Sequence, residues 1–287
     1  MNKAIFVWIK DIKISGSLPT ANCQFISNYK TMHAITSAEI ARTSQTSCGL
    51  AQIVFGHDSQ GNIVICSIKP IYTQCSENVY FQLVNMIDPK NENLVGRFLK
   101  LISFITYSEL QPFTDFILSN ARILNAFMQS QASYAHHHAN INGLFEHSIE
   151  VAEMTYHNAK HLKHSEIECQ TGLIAGLFHD IGKIYPALHS KTDSYVAGPH
   201  ESFNFAILAK PLGELGTQNS KVFALLSELL AAKPYGHKTR YAMEYVLKQA
   251  DRTSAESNFV KKQFEELPTH YFFTKKNGKL IYRLNSL

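Results

Sequence analysis

The spacing of apolar residues changes near residue 85, and this change constrains the fold more than any other feature of the sequence. Before it, short runs rich in Val, Ile, Phe and Tyr are separated by polar, glycine-containing breaks, as expected for β-strands. The predicted strands are Ile5–Ile9, Ala51–Phe55, Ile63–Ile68 and Val79–Leu83, with a hairpin turn over His57–Asn62. The pattern predicts a small β-rich domain over residues 1–85, compatible with an OB-like barrel.

From about residue 90 the apolar residues recur at helical spacing. One face carries Leu94, Phe98, Leu101, Ile102 and Ile105, and another helical segment begins near Pro112. Further amphipathic segments cover residues 144–161, 166–180, 200–210, 220–232 and 238–253, and Asn277-Gly278 indicates a hairpin near the end. The sequence therefore predicts a mainly α fold, with a helical domain over residues 90–260 and a C-terminal extension with a β-hairpin over 261–287.

Composition narrows the class of protein only a little. The net charge is +4, which is compatible with a phosphate-bearing partner but does not demonstrate one. The apolar run Ala4–Ile9 is too short to span a membrane and has no cleavage site for a signal peptide. The five cysteines are scattered and include no C-x-x-C pair, which favours reduced thiols in a cytoplasmic protein.

The most informative segment is the apolar run Thr171–Phe178, which ends in His179 and Asp180. A carboxylate at the C-terminus of a buried helix faces the negative end of the helix dipole and is costly without a partner. A bound cation would reverse both penalties. Gly182 is expected to end the helix in the left-handed conformation, and Pro186 to prevent its continuation.

Two more polar residues lie on apolar helix faces. His147 shares a face with Leu144 and Val151, and Asp251 is expected at the end of a helix that carries apolar residues on its inner face. Taken alone, each has a simpler explanation, such as a core histidine or a surface ion pair, and the doublet could be a capping pair. Together, two imidazoles and two carboxylates predict a site for a divalent metal such as Mn²⁺, Fe²⁺, Mg²⁺, Ni²⁺ or Zn²⁺.

These residues resemble the HD superfamily of metal-dependent phosphohydrolases, over roughly residues 130–255. The motif Phe-His-Asp-Ile-Gly-Lys, at residues 178–183, is among the most specific signatures of that family. The resemblance implies that Lys183 faces a substrate phosphate. It also implies that the metal ligands are His147, His179, Asp180 and Asp251.

A narrower resemblance concerns Ala132–His138 and Asn142–His147. Both segments are similar to two HD branches that act on nucleic acid, the relaxases of conjugative elements (TraI-like) and the bacterial exoribonucleases in which an OB-type domain precedes the HD core. Gly198–Ser202 also looks like a segment of the relaxase branch. Many members carry a His-His pair at the position of residues 226–232, for a second metal or for substrate, but this chain has none there and its nearest histidine is His237.

The motif suggests further roles. The candidate catalytic residues are Asp180, Lys183 and His200, of which His200 could bind phosphate or give a proton to the leaving oxygen, or have only a structural role. At least one histidine of the triplet is expected to line the cleft, the alternative being a polar loop with one buried imidazole. The candidate substrate-binding residues are His136, His137, His138, Lys183, His237 and Arg252.

Three functions remain open. The first is a phosphohydrolase or phosphodiesterase that acts on nucleotides or on nucleic acid, including single-stranded DNA or RNA, through metal-activated water. The second is a catalytically weak HD-type module that binds nucleic acid or a nucleotide, and the third, weaker one is a helical scaffold. In the β domain, Tyr72, Tyr80 and Phe81 could stack on bases, although the interpretation that they form the core is favoured.

Overall fold

The computed structural model describes residues 3–14, 19–27, 30–44, 46–88, 93–133, 138, 140–189, 198–276 and 278–284. The chain divides into two compact units, Met1–Asn125 and Ala126–Leu287. A helical core that follows a β-rich N-terminal region, with a β-hairpin near the C-terminus, confirms the predicted fold class. The boundaries at residues 85, 90 and 260 follow changes in the sequence pattern and stay predictions.

Five strands of the first unit form a closed barrel in the order β1-β2-β3-β5-β4. They are β1 Lys3–Ile14, β2 Thr20–Ser27, β3 Lys30–Ser37, β4 Gly49–His57 and β5 Ile63–Pro70. Strands β3 and β5 pair in parallel, and the other neighbours pair antiparallel. A five-stranded closed barrel of this kind is the OB-type architecture compatible with the sequence.

Alternating side chains fill the barrel. Val7 and Ile9 of β1 pack with Phe25 of β2 and Ile53 of β4 in one buried cluster. Because the strands close on themselves, no long edge is left unpaired among the described strands. Helix α1 (Ala38–Thr43) follows β3 and is capped by Ser37.

The aromatic side chains considered for base stacking have different positions. Tyr80 is only 2% exposed, as the core interpretation predicts, and its hydroxyl donates a hydrogen bond to Ile26 O at 3.3 Å. Tyr72 is 73% exposed, so the core interpretation is wrong for this residue. Phe81 is half-buried.

Two features of the β-rich region differ from the prediction. The segment Val79–Leu83 lies in helix α2 (Glu77–Asn85), because Ser76 caps a helix start by accepting the Val79 N–H. Strands β2 and β3 were not predicted, since their polar residues hide the alternation of buried positions. The hairpin over His57–Asn62 is confirmed: the Asp58 side chain accepts the N–H groups of Gln60 and Asn62.

The remaining helices of the first unit are α3 Asn93–Ile102, α4 Gln111–Ser119 and α5 Ala121–Gln129, which continues past residue 125. All five residues of the predicted face from Leu94 to Ile105 are buried. The second unit contains α6 Gly143–His161, α7 Glu166–Phe178, a 3₁₀ helix Ile181–Ile184, α8 Tyr185–His189, α9 His200–Ile207, α10 Ala209–Gln218, α11 Ser220–Leu230 and α12 Ala242–Phe264.

Helix α7 lies at the centre of the second unit, where it packs against α6, α11 and α12. Its residues from Cys169 to Phe178 are all buried, as its apolar sequence predicts. A capping box formed by Ser165 and Glu168 satisfies its first N–H groups. Gly176 lets α6 approach closely, since a Cβ there would lie 2.6 Å from Ala152 Cα.

The last elements are strands β6 Phe273–Lys276 and β7 Lys279–Tyr282, which pair antiparallel as the predicted hairpin. Gly278 adopts a φ of +80°, and Asn277 lies outside the described residues. Across the described part of the chain, no helix has both the length and the apolar character required to cross a membrane.

Candidate metal centre

The end of α7 brings His179 and Asp180 to one point. His179 caps the helix, and its Nδ1 lies 2.9 Å from Gly176 O, so Nδ1 must carry the donated proton. The other ring nitrogen, Nε2, lies 3.5 Å from Asp180 Oδ2 and carries the lone pair when the ring is neutral. This atom is buried and makes no hydrogen bond among the described residues, which is costly unless a cation or proton is bound.

The end of this helix differs from the prediction. Gly182 lies in the 3₁₀ helix and has no left-handed backbone, because the chain tightens after Asp180 instead of reversing. Pro186 lies in the first turn of α8, where its missing N–H costs nothing. Gly182 is required for another reason: a Cβ there would lie 1.9 Å from His200 O.

His147 and Asp251 complete the cluster. His147, on α6, is fully buried, and its Nε2 lies 3.1 Å from Asp251 Oδ1 and 3.7 Å from Asp180 Oδ2. Asp251 Oδ1 is also 3.7 Å from His179 Nε2. The prediction that Asp251 ends a helix is wrong, because α12 continues to Phe264 and places it in mid-helix.

The spacing of these atoms fits a single ion. Two ligand atoms that each lie about 2.1 Å from one ion are separated by about 3.0–3.4 Å at right or tetrahedral angles. The separations of 3.1–3.7 Å between the nitrogens and carboxylate oxygens are close to that range. His147, His179 and Asp180 could therefore hold a divalent metal, and Asp251 lies within reach of the same point.

The charges around the doublet are strongly coupled. Burial alone would raise the pKa of Asp180, but His179, His200 and Lys183 hold it well below its usual range. Burial lowers the pKa of His179, but Asp180 and Asp251 outweigh burial and raise it to about 9. The site is thus built to keep Asp180 ionised, as a metal ligand requires.

Lys183 and His200 both contact Asp180. Lys183 Nζ donates to Asp180 Oδ2 at 2.6 Å and to Ala132 O at 2.7 Å. His200 is the first residue of α9, and its Nε2 lies 2.7 Å from Asp180 Oδ1. Their side chains are 22% and 37% exposed, so solvent or a substrate can reach both groups. Their predicted catalytic roles stay predictions.

Asn204, which the sequence did not single out, fixes the position of this segment. It is fully buried on α9 and accepts the Gly182 N–H at 2.7 Å. Its amide donates to His179 O at 2.6 Å and to Leu230 O at 3.0 Å. A polar amide among apolar neighbours on a short helix is the sequence signal that could have identified it.

A series of hydrogen bonds supports His147 on the side away from the cluster. Its Nδ1 is 2.9 Å from Ser254 Oγ, and Ser254 donates to Glu150 Oε2 at 2.7 Å. Because the serine proton goes to the carboxylate, Oγ is the acceptor of the hydrogen bond from the His147 Nδ1–H, which leaves Nε2 of His147 directed toward the cluster. Burial raises the pKa of Glu150, but His138 and Ser254 lower it to about 2.

The helical spacing of the sequence could have identified Glu150 and Ser254. Glu150 follows His147 by three residues, and Ser254 follows Asp251 by three, so each pair shares a helix face.

The histidine triplet is only partly described. His138 is fully buried, with its Nδ1 3.3 Å from Glu146 Oε2 and its Nε2 3.5 Å from Glu150 Oε2. It therefore matches the buried imidazole of the alternative interpretation. His136 and His137 lie outside the described residues, so the prediction that one of the three lines the cleft stays a prediction.

The other candidate substrate residues have different surroundings. His237 Nε2 lies 3.1 Å from Glu244 Oε2 and 3.2 Å from Glu228 Oε1, in a second group of possible ligands. Lys233 and Lys248 already neutralise these carboxylates. Arg252 is exposed on α12, directly after Asp251. That His237 and Arg252 contact the substrate stays a prediction.

Replacing Ser254 by Ala should weaken metal binding by about 10–100-fold, because the His147 Nδ1–H would lose its acceptor and the ring its fixed orientation. Mn²⁺ titration by calorimetry measures the change. The matched control is Thr253→Ala on the same helix, whose exposed hydroxyl bonds to Gln249 one turn earlier. Equal affinities of the Ser254 variant and the wild type would contradict this role.

Two imidazoles and two carboxylates, contributed by three packed helices, form the class of site that binds a divalent cation through nitrogen and oxygen ligands. The comparison with known families agrees: residues 144–256 match the model of the HD domain, and this segment contains all four side chains. HD domains indicate the superfamily of metal-dependent phosphohydrolases, so the broad resemblance is confirmed for this segment. Neither the comparison with curated proteins nor that with solved structures found a significant match.

Proposed function

We propose that the chain is an HD-type metal-dependent phosphodiesterase that acts on single-stranded nucleic acid. The observation that carries this proposal is the convergence of His147, His179, Asp180 and Asp251, with both Nε2 atoms directed at carboxylate oxygens. The OB-type barrel supports a nucleic-acid substrate, because such barrels often bind oligonucleotides. The relaxase-like and exoribonuclease-like motifs support the same substrate class.

A bound divalent cation would polarise a phosphoryl oxygen and lower the pKa of a water molecule near it. Around it, the residues of this chain have distinct tasks. Lys183 supplies a fixed positive charge beside Asp180, suited to a phosphate that gains negative charge. His200 is part-exposed and can hold a proton at Nε2, next to Asp180 Oδ1, for the leaving oxygen.

A catalytically weak binding module is the second candidate. It is favoured by the absence of any histidine from residues 226–232, at the end of α11 and directly after it, where Glu228 instead pairs with Lys233 and His237. The free cysteines Cys23, Cys48, Cys66, Cys75 and Cys169 fit the cytoplasmic location proposed for either candidate.

The decisive experiment uses protein stripped with a chelator and reloaded with Mn²⁺. A chromogenic phosphodiester and labelled single-stranded DNA and RNA are the substrates. We expect metal-dependent cleavage that is lost in His179→Ala and retained in His161→Ala, a control histidine exposed at the end of α6. Binding of the strands without any cleavage would favour the binding module. If the protein neither bound nor cleaved the strands, the proposed substrate class would be contradicted.

A further inference from the structure

The hairpin of β6 and β7 presents two aromatic side chains and the basic side chain of Lys275 on one face. Its register places Phe273 opposite Tyr282 and Lys275 opposite Leu280, so these four side chains point the same way. All four are exposed, and Phe273 and Tyr282 are 46% and 61% exposed. Their ring centroids are 6.3 Å apart. A pair of open aromatic rings on a surface ribbon is costly to keep in water and suggests a ligand.

The opposite face anchors the hairpin. Thr274 and Ile281 are half-buried, and β6 packs against α12. Arg283 donates to Tyr271 O at 2.8 Å and to Pro268 O at 2.7 Å, and its guanidinium lies 4.5 Å from the centre of the Phe264 ring. The outward face is therefore held in a fixed orientation.

The charge of this segment has one sign. Residues 268–284 contain Lys275, Lys276, Lys279 and Arg283, and no aspartate or glutamate. The three lysines lie around the turn and are all exposed: Lys275 is on the aromatic face, and Lys276 and Lys279 oppose each other on the other face. A surface with only positive charges is complementary to a polyanion, whereas a protein partner with charges of both signs would not favour it.

We propose that this hairpin face binds single-stranded nucleic acid, with bases stacked on Phe273 and Tyr282 and phosphates neutralised by the lysines at the turn. Stacking on open rings next to basic side chains is how proteins bind single strands without sequence preference. The inference rests on the proposed function and extends it, because it names a surface that would hold the strand to be cleaved. An anionic membrane surface would meet the same charges, and the binding experiment separates the two.

The experiment measures binding of the full-length chain to fluorescein-labelled oligo(dT) and oligo(rU) of about 20 nucleotides. The double variant Phe273→Ala/Tyr282→Ala should bind at least about tenfold more weakly. The matched control is Tyr235→Ala/Tyr245→Ala, which removes two tyrosines elsewhere in the second unit that are more exposed than the hairpin pair, at 108% and 66%. Thermal unfolding checks that each variant is folded.

A second variant tests the charges without touching the rings. Lys275→Ala/Lys276→Ala/Lys279→Ala should reduce the slope of log affinity against log salt by about 0.7 for each phosphate that is no longer neutralised. Lys210→Ala/Lys221→Ala, which removes two exposed lysines, should leave the slope unchanged.

Unchanged binding by both hairpin variants would overturn the proposal, as would equal losses of affinity in the control variants. Binding of vesicles rich in phosphatidylserine, but not of either oligonucleotide, would overturn it in favour of a membrane. Turnover of the chromogenic phosphodiester by the wild type, measured in parallel, tests the proposed function separately.

Discussion

Replacing Asp180 by Asn should lower the affinity for Mn²⁺ by more than about 100-fold, beyond the range expected for a residue that only orients a ligand, and remove phosphodiester cleavage with it. Asp180 Oδ2 lies 3.7 Å from His147 Nε2 and 3.5 Å from His179 Nε2. The amide keeps the shape of the side chain but loses the negative charge. A cation would then meet two imidazoles, with only Asp251 to balance its charge.

Calorimetric titration of chelator-treated protein with Mn²⁺ measures this effect, and metal content after dialysis supports it. The control Glu256→Gln removes a negative charge from an exposed position on α12 and should bind Mn²⁺ as the wild type does. Asp180 also contacts Lys183 and His200, so the unfolding temperature of each variant is recorded to separate a loss of binding from a loss of folding. Wild-type affinity in a folded Asp180→Asn protein would contradict the assignment of this ligand.

The candidate ligands could be identified from the sequence because each lies on an otherwise apolar helix face. His147 and His179 lie at helical positions whose neighbours are buried, and the structure places both ring nitrogens Nε2 in the interior. The helical course of α7 was also predicted from its apolar run, although the helix ends at Phe178 and not at Asp180. The 3₁₀ helix after α7 was not predicted, because the conformation of Gly182 depends on α9, which is remote in sequence.

Non-local contacts explain most of the other differences. In the local sequence Glu150, Ser254 and Asn204 are ordinary polar residues, because their contacts with the cluster form only when α6, α12 and α9 pack around it. Similarly, β2 becomes a strand through its pairing with β1 and β3, although its own sequence has a weak alternation. Helix α2 was mistaken for a strand because its apolar residues form a short run that fits either structure.

The packing of glycines links the fold to the metal centre. Gly176 lets α7 approach α6, the helix that carries His147, and Gly182 lets the 3₁₀ helix approach α9, the helix that carries His200. Both glycines flank the His179-Asp180 doublet within four residues. Two close backbone contacts therefore hold the His179-Asp180 doublet between α6 and α9.

Replacing Gly182 by Ala should destabilise the protein by about 3 kcal/mol or more, at the upper end of the range for overpacking. The new Cβ would lie 1.9 Å from His200 O and 2.9 Å from Asn204 N, and these backbone atoms cannot rotate away as a side-chain end can. Helix α9 would have to move, which would stretch the hydrogen bonds of Asn204 to Gly182 N and His179 O. Metal affinity should fall together with stability.

Urea unfolding of the two glycine variants, Gly182→Ala and Gly213→Ala, measures this effect. Gly213 lies inside α10, and nothing in the described part of the chain is within 4 Å of the position that a Cβ would take. Alanine there should therefore stabilise the protein by about 0.5–1 kcal/mol, since it lowers the entropy of the unfolded chain and favours the helix. The same substitution is thus expected to lower the free energy of unfolding at position 182 and to raise it at position 213. Similar small effects at both would show that α9 can shift without cost, and the close contact at Gly182 would then not determine the position of the doublet.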